Sequence, residues 1–195
     1  RTHSSTKIEL SEHFNTRVVA FPLISISSIK KVNIMSLPSI SERYAAMGGR
    51  YYDDFTIGDN YPHLPGRTVS QQDNSWFTLL TMNTHPLHFD EEYAATTEFG
   101  KPLIASPLTV AIIVGMSVAD VSAKAIANLG WKEIRLTHPV FPGDTLYAST
   151  EVLDKRESKS RPTAGVVSVL TRGFNQHDVE VCVFERQILV PKKPV

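Results

Sequence analysis

Asn83, His85 and His88 stand close together in the segment Thr81-Met82-Asn83-Thr84-His85-Pro86-Leu87-His88-Phe89-Asp90. A histidine suits general-base work, because an unperturbed pKa near 6.5 lets it take and return a proton close to neutrality. Asparagine can orient a water through its side-chain oxygen but cannot remove a proton. His85 and His88 also make an H-x-x-H pair that could touch a metal. Pro86 denies them a shared helical face and no third ligand follows nearby, so no metal is implied.

Other chemistries are set aside. The chain has no glycine-rich loop of the dinucleotide or Walker type. Gly115-Met116-Ser117-Val118-Ala119 has the outline of a nucleophile elbow, but it lies inside an apolar helical run and not at a strand-to-helix turn. Twenty basic and twenty acidic residues cancel to a formal charge of zero, so no global field draws the chain to nucleic acid or anionic lipid. A single cysteine, Cys182, excludes an intrachain disulfide and fits a reducing, cytoplasmic compartment. Its neighbours Val181, Val183 and Phe184 place it in a strand as a buried, inert thiol. The longest apolar stretch, about 107–119, is well short of the roughly 20 residues that span a bilayer. With 195 residues the chain has room for one domain and a tail.

The elements that must position the histidines follow from punctuation and periodicity. Tyr51 to Ile57 reads as a short strand, Pro62 to Gly66 as a turn-rich connection, and Arg67 to Val69 as a second short strand. Ser70-Gln71-Gln72-Asp73 has the form of a helix start, followed at helical spacing by Trp76, Phe77 and Leu80 and ending near Met82. Asp90-Glu91-Glu92 opens another helix, which Gly100-Lys101-Pro102 stops; Asp90 and Asp73 therefore read as helix-start residues more than as acids. From Pro107 runs a helix apolar all round, read as continuing to Gly130. Three strands follow, at 147–154, 165–174 and 179–190. The fold class is α+β: an antiparallel sheet wrapped around a central apolar helix.

Residues 1–34 read differently, serine-rich with an apolar patch between basic residues. Glu9 and Glu12 suit neither a signal nor a transit peptide. The expectation is an N-terminal extension outside the fold, a natural start at Met35, and one domain over 35–195.

Around the histidines the chain resembles the MaoC-like, R-specific enoyl-CoA hydratase family of the hot-dog fold. The family motif is aspartate, any residue, asparagine, proline, an aliphatic residue and histidine, then an acidic helix start. Pro86, Leu87, His88 and Asp90 match it, as do Tyr93-Ala94-Ala95, Phe99-Gly100 and the later Pro139-Val140-Phe141-Pro142-Gly143-Asp144-Thr145-Leu146. The likeness runs from about Tyr51 to Val190. The wording from Asn83 to Asp90, with Ser158-Lys159-Ser160-Arg161-Pro162 downstream, looks like the branch acting on carboxylated C5 acyl-CoAs such as itaconyl-CoA and mesaconyl-CoA. The departure is that Asn83 stands at the family's aspartate position and His85 at its asparagine position. Either His88 does the base work alone, or His85 or a nearby carboxylate shares it.

The resemblance implies addition or removal of water across a 2-enoyl-CoA, with no cofactor, no nucleic-acid or membrane partner, and a homodimer or higher homo-oligomer. Such chemistry needs a base for the water, an acid for the α-carbon and donors for the charge on the thioester oxygen. The resemblance puts that donor at Ser106, which also reads as a plain N-cap of the central helix. Lys155, Arg156, Lys159 and Arg161 form a basic cluster, either a solvated hairpin end or a hold on CoA phosphates, for which Lys159 and Arg161 are the candidates. For a substrate carboxylate, His85 comes first and Arg67 second. A non-catalytic acyl-CoA-binding protein and an acyl-CoA thioesterase are the competing readings.

Overall fold

The computed structural model describes residues 48–194, so the expectations for residues 1–34 and for a start at Met35 lie outside the described residues. The strands are β1 (Asn60–Thr68), β2 (Ala127–Leu136), β3 (Thr145–Glu157), β4 (Ala164–Phe174) and β5 (Glu180–Pro191). The helices are α1 (Gln71–Thr81), α2 (Glu91–Ala95) and α3 (Ser106–Met116). All strand pairs are antiparallel, in the order β1-β3-β4-β5-β2.

The sheet curls around α3. Leu108, Thr109, Ile112 and Ile113 of that helix are buried against Leu146, Ala148, Val181, Cys182 and Phe184. Close approach is possible because β4 carries Gly173, where a Cβ would lie 2.6 Å from the Ile113 Cδ1. Burial pushes the Cys182 thiol up to about 11, as expected of an inert core sulfur. No helix among the described residues is long and apolar enough to cross a membrane.

Four expectations need correction. The helix opened by Asp90 does not run to Gly100 but ends at Ala95. Tyr51 to Ile57 is not a strand: Tyr52–Asp54 form a single 3-10 turn, and the Tyr51 N–H is taken by the Asp54 carboxylate. Pro62 to Gly66 do not separate two strands but lie inside β1, as a bulge between His63 and Arg67. An edge strand tolerates prolines because half of its N–H groups face away from the sheet. The central helix stops at Met116 and is followed by one wide turn, Val118–Ser122; Ala127–Leu136 is a strand, so Gly130 is no helix stop. Two register shifts interrupt the pairing of β2 with β5. They scramble the two-residue alternation by which a strand is read.

A polar chain runs under the sheet. His63, 1% exposed, bonds the Asp120 carboxylate through Nδ1 (2.9 Å) and Thr150 Oγ1 through Nε2 (2.7 Å), and Thr150 meets Thr171 at 2.9 Å. The order carboxylate, imidazole, hydroxyl is that of a nucleophilic triad. Thr150 and Thr171 are fully buried, however, as suits a structural network and not a nucleophile. Burial would raise the Asp120 carboxyl, yet hydrogen bonds from His63 and Arg50 outweigh it and hold it below the usual range. A depressed carboxyl contributes stability above its unfolded pKa of about 3.9, and that contribution is lost as pH falls through the folded value. Asp120→Asn is therefore expected to lower Tm at pH 7 and to leave a shallower fall of Tm between pH 5 and 3. Parallel Tm profiles for the two proteins would refute it.

Candidate active site

The histidine loop is fastened at both ends by local chemistry. α1 starts on a reciprocal cap in which Ser70 Oγ accepts the Asp73 N–H (3.1 Å) and the Asp73 carboxylate accepts the Ser70 N–H (2.9 Å). It ends at Met82, whose φ of 56° reverses the chain, and the Asn83 N–H returns to the Thr78 carbonyl at 3.0 Å. The Asn83 side-chain oxygen then accepts the His85 N–H at 3.2 Å, and His85 Nδ1 accepts the Leu87 N–H at 3.2 Å. Pro86 opens the single turn Pro86–His88, and Asp90 caps α2 by accepting the Tyr93 N–H at 2.9 Å, as its helix-start reading requires.

These bonds fix where the protons are. The Leu103 carbonyl can only accept, so at 2.8 Å from it His88 Nδ1 carries the proton and Nε2 keeps its lone pair in the neutral ring. His85 is the reverse: Nδ1 accepts, so Nε2 bears the hydrogen. His85 is exposed and His88 half-buried, with ring centroids 5.9 Å apart. Leu103 is further tied to the loop through its N–H, which donates to the Leu87 carbonyl at 3.1 Å.

Three residues beyond Leu103, Ser106 begins α3. Its N-cap reading is corrected: Ala105 is the N-cap and makes no side-chain cap bond, while Ser106 and Pro107 are the first two helical residues. No acceptor among the described residues takes the Ser106 N–H. Ser106 lines a cavity of about 230 Å³ together with Phe99, Leu103, Thr109, His138 and Pro139.

The other candidates are dispersed. Asn83 lines a separate cavity of about 450 Å³ with Leu79, Met82 and Phe89. Arg67 is bonded to Asp73 at 2.6 Å, so its charge already has a partner. Lys159 and Arg161 are exposed in the β3–β4 hairpin. Arg67 pairs with Leu146 at the other end of β3, and 13 residues of strand at about 3.3 Å each leave up to roughly 40 Å between the two ends. Among the described residues no hydrogen bond or ion pair joins this basic hairpin to the histidine loop. Lys155 leaves the cluster altogether, donating to the Tyr52 and Phe55 carbonyls at 3.1 and 2.7 Å.

Sequence reasoning missed three residues. Asn74 and Gln71, on the inner side of α1, both donate to the His88 carbonyl at 2.8 Å. Their i, i+3 spacing on one helix face was the available signal. His138, next to the Pro139 motif, lines the Ser106 cavity and meets the Glu180 carbonyl through Nδ1 at 2.7 Å. The loop thus presents an imidazole with a free Nε2 lone pair, tied through Leu103 to the segment that leads into a helix start with an unused N–H. A base and a holder of negative charge are what the arrangement can supply.

Residues 54–173 match the family described as MaoC like domain. Over 145 residues the chain is 34% identical to mesaconyl-CoA hydratase of Cereibacter sphaeroides, covering 74% of this chain and 42% of that protein. It therefore spans about two fifths of the length of that relative. Over 115 residues it is 30% identical to (R)-specific enoyl-CoA hydratase of Aeromonas caviae, covering 59% of this chain and 81% of that one. A Mycobacterium tuberculosis protein described as having a double hotdog fold superposes with a TM-score of 0.69 at 27% identity, over 75% of this chain and 46% of that chain. The antiparallel sheet curled around one apolar helix is the hot-dog fold.

Proposed function

The chain belongs to the MaoC-like domain family, and from that premise we propose that it is a hydro-lyase adding or removing water across the double bond of a 2-enoyl-CoA. The observation that carries this reading is the His88 Nδ1–H bond to the Leu103 carbonyl, which leaves Nε2 as a base and ties it to a residue three positions before an unused helix-start N–H. In hydration, Nε2 takes a proton from water as the oxygen bonds the β-carbon. The charge that develops on the thioester oxygen is met by the Ser106 N–H. The imidazolium then returns its proton to the α-carbon, so the balance is one water per double bond.

Asn83 has a second lone pair on the oxygen that holds His85, and with it can orient the water. A homodimer joined along β2 suits the exposed Leu129, Trp131, Ile134 and Leu136 of that edge strand, and light scattering would measure it. In such a dimer Lys159 and Arg161 remain candidates for the CoA phosphates of the second copy's ligand.

The finer reading is a carboxylated C5 acyl group, mesaconyl or itaconyl, supported by the mesaconyl-CoA hydratase likeness. A substrate carboxylate buried without a partner would cost several kcal/mol, so the site must offer it a donor or cation. His85, with an exposed Nε2–H beside the loop, fits better than Arg67, which Asp73 holds.

The test offers crotonyl-CoA, itaconyl-CoA and mesaconyl-CoA and follows conjugated-thioester absorbance beside free-thiol release. Hydration removes the chromophore and frees no thiol; thiol release would indicate a thioesterase, and binding without turnover a carrier. The carboxylated substrates are expected to show the higher kcat/KM, and His85→Asn to narrow the ratio by weakening them. Equal kcat/KM on all three in the unmodified protein would remove the reason for a carboxylate-binding group.

A further inference from the structure

We infer that Asn74 is a positioning residue that locks the base and the charge-holding helix start into one rigid unit and fixes the tautomer of His88, an inference that rests on the roles proposed above for His88 and Ser106. Asn74 is fully buried in α1. Its Nδ2 group donates one hydrogen to the His88 carbonyl (2.8 Å) and the other to the Leu103 carbonyl (3.0 Å), while Oδ1 accepts the Ala105 N–H (2.9 Å). The orientation of the amide is determined, because the reverse would set its oxygen against two carbonyl oxygens.

Two consequences follow from these partners. The histidine loop and the strand of residues leading into α3 are joined through a single side chain, which fixes His88 relative to the residue preceding Ser106. The Leu103 carbonyl accepts from Asn74 and from His88 Nδ1 together, so the amide holds in place the acceptor that keeps the imidazole proton on Nδ1. Gln71 also donates to the His88 carbonyl, but its other contact is to Ser75 on its own helix, so it does not bridge to α3. A packing role alone would be filled by an apolar residue without burying an amide. Here both amide hydrogens and the amide oxygen go to the two segments that carry the chemistry.

The test uses Asn74→Ala and the similarly sized Asn74→Leu, which fills the same buried space and removes all three bonds without setting an oxygen against the two carbonyls. Both are expected to keep the wild-type circular dichroism and a cooperative melt. Turnover of mesaconyl-CoA and crotonyl-CoA is expected to fall about 10- to 50-fold in kcat with KM changed less than about threefold, as for a misplaced reacting group. In a His88→Ala background the same replacement is expected to cost less than about twofold, because the group it positions is gone. Nitrogen NMR of protein labelled at its 7 histidines, with the His88 signals identified by their loss in His88→Ala, is expected to show a single Nδ1–H tautomer in the wild type and a mixture in the variants. Folded variants with kcat within twofold of wild type and an unchanged His88 tautomer would overturn the inference, as would an equal loss in the His88→Ala background. If Asn74→Ala does not fold, Asn74→Leu decides. If the wild type hydrates none of the three acyl-CoAs, the proposed function fails, while the tautomer measurement still reports on the clamp.

Discussion

His88→Ala is expected to reduce hydration of 2-enoyl-CoA by about 100- to 10,000-fold, the usual cost of deleting a general base. The loss should fall on kcat, because Nε2 acts on the water and not on the CoA handle. The fold should survive, since the bonds that fix this position are made by the His88 backbone carbonyl to Gln71 and Asn74 and persist in alanine. The Leu103 carbonyl also keeps Asn74 as a donor when the imidazole is gone. Calorimetric titration with a saturated acyl-CoA should give a Kd within a few-fold of wild type. An unchanged rate in the variant would remove His88 from the mechanism. A lost rate with lost binding would make it a ligand contact instead.

Where local chemistry decides a structure, the sequence was readable. Ser70 with Asp73, and Asp90 ahead of two acids, cap α1 and α2 as their residue types require. The all-round apolar character of α3 announced a helix that the sheet surrounds, and β3, β4 and β5 lie within three residues of their expected bounds. Where distant partners decide, it was not. β2 exists because β5 pairs with it across two bulges, and no alternation survives to mark it. Asn74 sits in an otherwise ordinary amphipathic turn. Its partners lie 14, 29 and 31 residues away, so only the folded chain reveals that this amide is shared between the loop and α3. Arg186, expected simply as a strand residue, is 1% exposed and donates to Ser117 Oγ at 2.9 Å. It lies under the last turn of α3, where the negative end of the helix dipole favours a cation. In the site, the histidine loop was legible as a unit because its members are neighbours in sequence. The separate cavities of Asn83 and Ser106 were not, since the first depends on how α1 lies against Phe89 of the loop and the second on how the start of α3 lies against the segment from Leu136 to Val140.

The second large effect is expected at Ser106, where proline deletes the N–H together with the hydroxyl and alanine deletes the hydroxyl alone. Ser106 is the first residue of α3, a position whose N–H has no partner within the helix and where proline is well tolerated. Ala105, with φ −58° and ψ 128°, already has the extended conformation that a following proline demands. Ser106→Pro should therefore preserve the helix, with Tm within a few degrees of wild type. If the Ser106 N–H meets the charge on the thioester oxygen, kcat should fall by about 100- to 1,000-fold, the typical cost of losing one such donor. Ser106→Ala keeps the N–H and removes only the hydroxyl, so it should retain nearly full activity. A folded Ser106→Pro variant with wild-type kcat would move the charge-holding role to another donor. If Ser106→Ala fell as far as Ser106→Pro, the working group would be the hydroxyl, and the start of α3 would matter only as the place that presents it.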